Sequence, residues 1–588
     1  MMNVPDRSSR HTDERRRASR DGRKARFSSS IAHSLDPSEA RGRMYVVLIF
    51  FAIIAVIIAG RLIWLQIIDA QNILNSDESG RTVSVEVQPR RGTIYDRNGV
   101  VLATTVDALN VYCHPHVVDS GRVDELAKAL ADTFGGEEQD YKDKITQDTN
   151  FVYLYRAAEV DAAEAIRSLD IEGVGFEETS KRVYPCGSVA SQVIGITNTD
   201  GDAVSGLELY YDDILGGQPG ERTTEYSAEG VPLPGTDHVT AEVVNGKDVV
   251  VSIDVEMQAR LEEALLVRVE AVEGKTGSAI LMDSATGEIY ACASSPTFDI
   301  TDLSEIEEGA TNLTGISSGF EPGSIFKPVT MLAALEAGTT QAGQTYWCPA
   351  VLTVDDYDIS DSHERPDQEM DTSTIMAESS NVGMSLVAED LGAENLYNYI
   401  KQYQVTDLTN VDYPGEVGGY ISDWHEWSTV QQYNIAFGQG LEVSPIEMVR
   451  FYGALANNGT AVTPHFLVDV PTDEGETTYP TSSITSNQEA IDNVEAMMEA
   501  VVDHGTGTQA QIEGYRVVGK TGTAEIADDQ GGYHSSLYNI SFIGYLPDSS
   551  TNLVCFVGAT DVPAERKTVA AFQDIMSFAI ERYDITQN

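Results

Sequence analysis

The chain has 588 residues, and its 38 Lys or Arg stand against 92 Asp or Glu, for a formal net charge of −54 at pH 7. So acidic an exterior repels phosphate backbones and excludes nucleic acid as a partner; it reads as a heavily solvated surface, with a cationic partner left open. The length suits two folded domains beyond a targeting segment.

The first 43 residues hold eleven Arg or Lys against six Asp or Glu, clustered at Arg15-Arg16-Arg17 and Arg23-Lys24. Rich in Ser and Arg and poor in apolar residues, they predict a disordered tail, with a tether to a membrane surface or a cytoplasmic partner left open. Met44 to Ala59 is an uninterrupted apolar run. With Leu62 to Leu65 beyond Gly60-Arg61 it reaches the roughly 20 residues that span a bilayer. The stretch before it is too long for a signal-peptide n-region, and Ile57-Ile58-Ala59 lacks a small-x-small cleavage pattern, so 44–66 reads as a retained anchor. By the positive-inside rule residues 1–43 stay cytoplasmic and the rest is outside. Arg61 then sits at the outer interface with its head in water.

Beyond the anchor, strand-like Thr82 to Val87 and helical Val123 to Thr133 predict a first outer domain over 67–240. A cut falls near Gly246-Lys247, ahead of the apolar Val249 to Ile253 and a helix over Val255 to Glu270, and the second domain fills 241–588. Within it Gly277 to Met282, Glu288 to Ala293, Val517 to Ala524, Asn539 to Tyr545 and Leu553 to Gly558 predict strands of one antiparallel sheet. A helix-rich middle and a terminal helix, Lys567 to Tyr583, would cover its faces, giving an α+β fold. No internal repeat is evident.

Five cysteines, Cys113, Cys186, Cys292, Cys348 and Cys555, fall on the outer side, where disulfides persist, but an odd number leaves at least one unpaired. They lack metal-ligand spacing, and Cys292 and Cys555 lie in apolar runs that predict buried thiols. No cofactor or metal is expected. Histidines are scattered, and His504 reads as a loop residue.

Three short islands carry the chemistry. In Ser324-x-x-Lys327 the side chains are three apart, so on a helix they share a face and the amine can lie beside the hydroxyl. A serine is a weak nucleophile without such a neighbour. Lysine serves as base only if its pKa falls well below about 10.4, which burial near another cation would achieve, and Lys520 is the candidate cation. The apolar Val329 to Leu335 predicts a buried helix holding Ser324. Pro328 lacks the N–H that would bond back to the Ser324 carbonyl, so the first turn should be irregular. Ser379-Ser380-Asn381 sits between two helical stretches, as a short loop carrying a hydroxyl and an amide; an ordinary N-cap explains it equally well. Tyr515 to Ala524, with Lys520-Thr521-Gly522-Thr523 inside, predicts a strand whose glycines admit a ligand close to the backbone. Alone it reads as an edge strand with a solvated lysine.

The three islands in this order resemble those of the penicillin-binding proteins, the serine D,D-transpeptidases that cross-link peptidoglycan. Glu321-Pro322-Gly323-Ser324 with Phe326-Lys327-Pro328, Ala436-Phe437-Gly438-Gln439-Gly440 with Val443-Ser444-Pro445, Ala456-Asn457-Asn458-Gly459, Gly505-Thr506-Gly507 and Ser541 to Tyr545 extend the likeness. Upstream, Arg90-Arg91-Gly92-Thr93-Ile94-Tyr95-Asp96-Arg97-Asn98-Gly99 is similar to the opening of the non-catalytic module of class B members. Gly206-Leu207-Glu208 and Leu215 to Gly220 are similar to its close. The resemblance runs from about residue 44 to the end.

It implies a membrane anchor, a dimerisation or pedestal domain and a transpeptidase domain. Ser324 would be acylated by the penultimate D-Ala carbonyl of a stem peptide, Lys327 would take its proton, and Ser379 would protonate the leaving amine. Asn381 would hold a substrate amide. Lys520, Thr521, Gly522 and Thr523 would bind the terminal carboxylate, and backbone N–H groups of Ser324 and Thr523 would form an oxyanion hole. β-Lactams would acylate Ser324 as mimics. Glu321 before Pro-Gly-Ser, and Ser380 with Val382-Gly383 around Asn381, look more like septal than elongation enzymes. The implied partner is a polytopic glycosyltransferase of the shape, elongation, division and sporulation family. A serine β-lactamase or β-lactam sensor, a D,D-carboxypeptidase and a catalytically dead scaffold are the alternatives.

Overall fold

The computed structural model describes residues 37–64, 82–225, 238–304, 306–354, 356–472, 477–527, 533–563 and 566–587. The arginine clusters of the tail and the last two residues of the expected anchor lie outside the described residues. A helix spans Pro37–Ile63. Among the described residues it alone is long and apolar enough, over Met44–Ile63, to cross a membrane.

The first folded region after residue 82 is built on the 13-residue strand Val101–Cys113. It pairs antiparallel with both Val152–Glu159 and Val174–Val183. Helices Val123–Phe134, Glu138–Ile145 and Val160–Arg167 cover it, packing Leu126, Leu130, Ile145 and Ile166 against Val111, Cys113 and Leu154. The predicted helix from Val123 is present and ends where Gly135 turns to a φ of 78°. On the other side the short strand Ile94–Tyr95 runs parallel to Val249–Val251, which in turn pairs antiparallel with Leu467–Asp469. One sheet thus takes strands from both sides of residue 240, and a division there is a proposal about folding units.

The Arg90-Arg91-Gly92 and Gly206-Leu207-Glu208 segments meet in a buried ionic knot. The Glu208 carboxylate is fully buried and takes the Nε–H of Arg91 on one oxygen and that of Arg182 on the other. Arg91 Nη2 also donates to the Glu208 carbonyl at 2.6 Å, and Arg182 Nη1 to that of Gly92 at 2.6 Å. Each charge is paired and its donors largely satisfied, which is what permits burial.

The second region centres on a five-stranded sheet in the order Ile289–Ser295, Thr276–Asp283, Leu553–Val562, Tyr533–Tyr545, Val518–Ala527, antiparallel throughout. These are the five strands the sequence predicts. Alternate side chains go to opposite faces, and here both faces are buried. Ala279, Leu281, Cys555, Val557 and Phe542 pack under helices Val255–Ala271 and Val569–Arg582. Ile280, Met282, Val554, Phe556 and Ile543 pack against the middle helices, including Lys327–Ala337 and Pro445–Ala456. The strand that carries Lys520 lies at the edge, so one of its sides is open for another backbone to approach. All five cysteines are free thiols rather than disulfides. Burial raises the Cys292 and Cys555 thiols far above their ordinary range, leaving them inert.

Candidate active site

Ser324 lies in a 3₁₀ turn, Gly323–Phe326, that leads into the helix Lys327–Ala337. The irregular first turn expected from Pro328 is this 3₁₀ segment, closed by the Lys327 N–H donating to the Ser324 carbonyl. Every side chain from Lys327 to Ala334 is buried. Further contacts clamp the turn: Tyr452 Oη donates to the Ile325 carbonyl at 2.8 Å, and the Gly323 N–H to that of Gly438 at 2.8 Å. The Gly440 N–H donates to Glu321 Oε1 at 2.9 Å, and Phe320 and Val443 exchange backbone bonds. Gly438 holds a φ of 92°, and a Cβ there would fall 2.0 Å from the Gly323 carbonyl oxygen, so only glycine fits. The Ala436 to Gly440 block is therefore the buttress of the serine turn.

Ser379 stands at φ 58°, a left-handed conformation in a non-glycine residue, between helices Thr372–Ala377 and Asn381–Leu391. Such strain persists only where the surroundings enforce it. Ser380 is the N-cap of the second helix, accepting the Gly383 N–H at 2.9 Å. The residues just after Ser379 are held by Asp361, which sequence reasoning missed. Its carboxylate accepts the Asn381 N–H at 2.6 Å, the Val382 N–H at 3.0 Å and the Ser380 hydroxyl at 2.8 Å, and pairs with Arg365. Nothing local marks it, since it is one of several acids between Asp356 and Asp367.

Lys520 is fully buried on the edge strand, unlike the solvated lysine such a strand would ordinarily carry. Its Nζ donates to Ser379 Oγ at 2.8 Å. Thr521 Oγ1 is 2.6 Å from Thr506 Oγ1, which ties in the Gly505 to Gly507 block. A Cβ on Gly522 would lie 2.2 Å from Ser541 Oγ and 3.0 Å from Ile325, so glycine lets this strand close on the serine turn.

The first two islands meet at Lys327 Nζ, and the third joins them through Lys520 and Ser379 Oγ. Lys327 Nζ lies 2.9 Å from Ser324 Oγ, 2.9 Å from Asn381 Oδ1, 2.5 Å from the Ser379 carbonyl oxygen and 3.1 Å from Ser379 Oγ. A neutral amine donates its two hydrogens to the two carbonyl-type acceptors and keeps its lone pair for the Ser324 hydroxyl proton. Burial pushes Lys327 down to about 7, against the pull of the Asp361 carboxylate. Desolvation, not the expected second cation, is the cause. The cation effect instead falls on Lys520, which is held well below its ordinary value first by burial and then by the charges of Lys327 and Lys567.

A cleft of about 630 Å³ is lined by Ser324, Ser379, Asn381, Thr521, Gly522 and Thr523. Lys327 and Lys520 lie beneath its floor, fully buried. Thr506, Gln439, Tyr357 and Lys567, none of them singled out in the sequence as ligand-binding, also line it. A hydroxyl, a neutral amine at hydrogen-bond range and hydroxyl-bearing walls over a second buried amine suit acyl transfer from an anionic amide.

The family model of the penicillin binding protein transpeptidase domain matches residues 277–577, and that of the penicillin-binding protein dimerisation domain matches 86–251. The chain is 32% identical over 535 residues to the stage V sporulation protein D of Bacillus subtilis (strain 168), covering 89% of this chain and 82% of that protein. It is 30% identical over 516 residues to the peptidoglycan D,D-transpeptidase FtsI of Escherichia coli (strain K12), covering 86% and 85%. The crystal structure of penicillin binding protein 2X from Streptococcus thermophilus superposes with a TM-score of 0.71 at 24% identity, over 85% of this chain and 80% of that one, a likeness of fold.

Proposed function

This chain belongs to the class B penicillin-binding proteins, the D,D-transpeptidases of peptidoglycan, and from that premise we propose that Ser324 is its nucleophile and Lys327 its base. The observation that carries the assignment is the buried Lys327 amine 2.9 Å from Ser324 Oγ. Ser324 Oγ attacks the carbonyl carbon of the penultimate D-Ala while its proton passes to Lys327. Backbone N–H groups of Ser324 and Thr523 receive the oxyanion, each worth a few kcal/mol of barrier. The C–N bond then breaks as Ser379 Oγ gives a proton to the leaving D-Ala amine and is refilled by the proton held on Lys327 Nζ, 3.1 Å away, with Lys520 Nζ on it at 2.8 Å. Thr521 and Thr523 bind the terminal carboxylate from the cleft wall, Gly522 gives it room, and the arriving anion favours the charged form of the Lys520 amine below. Asn381 holds a substrate amide. The amine of a neighbouring stem attacks the acyl-enzyme and forms the cross-link.

Glu321 ahead of Pro322, and Ser380 with Val382-Gly383, support a place at the division septum. The protein is a single-pass membrane protein; its basic tail faces the cytoplasm and its catalytic part the outside, and its anchor pairs with a polytopic glycosyltransferase of the shape, elongation, division and sporulation family. Residues 67–240 serve as the pedestal and 241–588 as the transpeptidase domain.

Intact-mass measurement of the detergent-solubilised full chain with excess benzylpenicillin tests the assignment. A stable adduct on the wild type, absent from Ser324→Ala and Lys327→Ala, is the expected result. Normal labelling of Lys327→Ala removes the base from that lysine, and an adduct that vanishes as drug is hydrolysed makes the protein a β-lactamase.

A further inference from the structure

Asp361 stands outside the three islands and grips the second of them, at Ser380 and Asn381. It follows the hairpin of strands Val351–Val354 and Tyr357–Ser360. Its side chain is 10% exposed, and its partner Arg365 is 11% exposed. The carboxylate caps the 11-residue helix Asn381–Leu391 by accepting its first two N–H groups, where the helix dipole favours an anion. The neighbouring Ser360 carbonyl accepts Asn381 Nδ2–H at 3.1 Å, which fixes the amide so that Oδ1 faces Lys327 Nζ.

We propose that Asp361, partnered by Arg365, is a positioning residue for acylation, orienting Asn381 and setting through its charge how readily the Lys327 amine takes the Ser324 proton. The inference rests on Lys327 as the base. The charged groups around that amine are few. Lys520 faces it from the edge strand and Asp361 from the loop, while Ser379 and Asn381 bring only neutral groups. Asp361 itself faces Arg365, with the Cys348 thiol of strand Thr345–Cys348 in the field of both and His363 on the cleft wall nearby. The carboxylate favours the charged form of the amine, and the guanidinium paired with that carboxylate weakens its pull. Removing the anion makes Lys327 release its proton more easily, and removing the cation makes it hold the proton longer.

The test is the second-order rate of acylation by benzylpenicillin from about pH 5 to about pH 9, measured on the full-length wild type, Asp361→Asn, Arg365→Met and Lys327→Ala. The acid limb should move to lower pH in Asp361→Asn and to higher pH in Arg365→Met, each by roughly half a unit or more. A residue that merely braced the loop would lower the rate at every pH and leave the limb in place, and that result overturns the inference. If Asp361→Asn does not fold, the Arg365→Met limb alone decides it, since an unmoved limb there is equally fatal. A Lys327→Ala variant that keeps the wild-type limb overturns the assignment of the base, and the inference with it.

Discussion

Which lysine is neutral decides what Ser324 can do. Lys327 is pushed by burial to about 7, so near neutral pH a large share of molecules hold it as a free amine. Acylation should therefore climb as pH rises through about 7 and level off above it, a profile that stopped-flow labelling with a fluorescent penicillin reads directly. The same shift bears on stability, with a definite sign. The folded value lies below the unfolded value of about 10.4, so between the two the unfolded chain binds more protons and stability rises with pH. Below about 7 the burial cost is fully present. Lys520→Met should leave the fold intact but weaken acylation by carboxylate-bearing β-lactams about a hundredfold, since both the Ser379 Oγ contact and the amine that can take up a proton beneath the carboxylate site are lost. All eight candidate site residues were legible because each lies in a short island of unusual wording. Asp361 and Lys567 were not, because an acid or a lysine in a polar loop looks the same whether it faces solvent or a cleft.

Elements are placed by packing that the islands do not state. The serine turn is held by a glycine more than 100 residues on, at Gly438, where a side chain would strike the Gly323 carbonyl. Gly438→Ala should lower the melting temperature, by more than about 1 kcal/mol of stability, and slow acylation together, since the strain is delivered to the nucleophile's own turn. Glu208→Gln acts elsewhere. It leaves buried Arg182 without a counter-charge and Arg91 with Asp212 alone, and should cost about 3–5 kcal/mol in denaturant unfolding, with little change in acylation by the molecules that remain folded. The strands of the central sheet could be read from short near-continuous apolar runs such as Gly277 to Met282 and Leu553 to Gly558. Their neighbours could not: Thr276–Asp283 lies beside Leu553–Val562, a pairing across some 270 residues that no local pattern encodes.

Across the whole molecule the cysteines give a simple check. Four of five are buried and none is paired, so a thiol reagent should find at most Cys186 in the native protein and all five after unfolding. Fast labelling of two or more in the native state would contradict the packing of the sheet. Read alone, the chain states the chemistry on offer, a serine, two lysines, a second serine and an asparagine in recognisable order, together with the apolar runs of the anchor and the strands, since these depend on residues within one or two turns of each other. The tertiary structure alone decided that both lysines lie buried beneath the cleft floor, that burial rather than a neighbouring cation lowers Lys327, and that Asp361 grips the Asn381 helix. Desolvation and Coulomb fields depend on distances between segments far apart in the chain, and only the folded packing sets those distances.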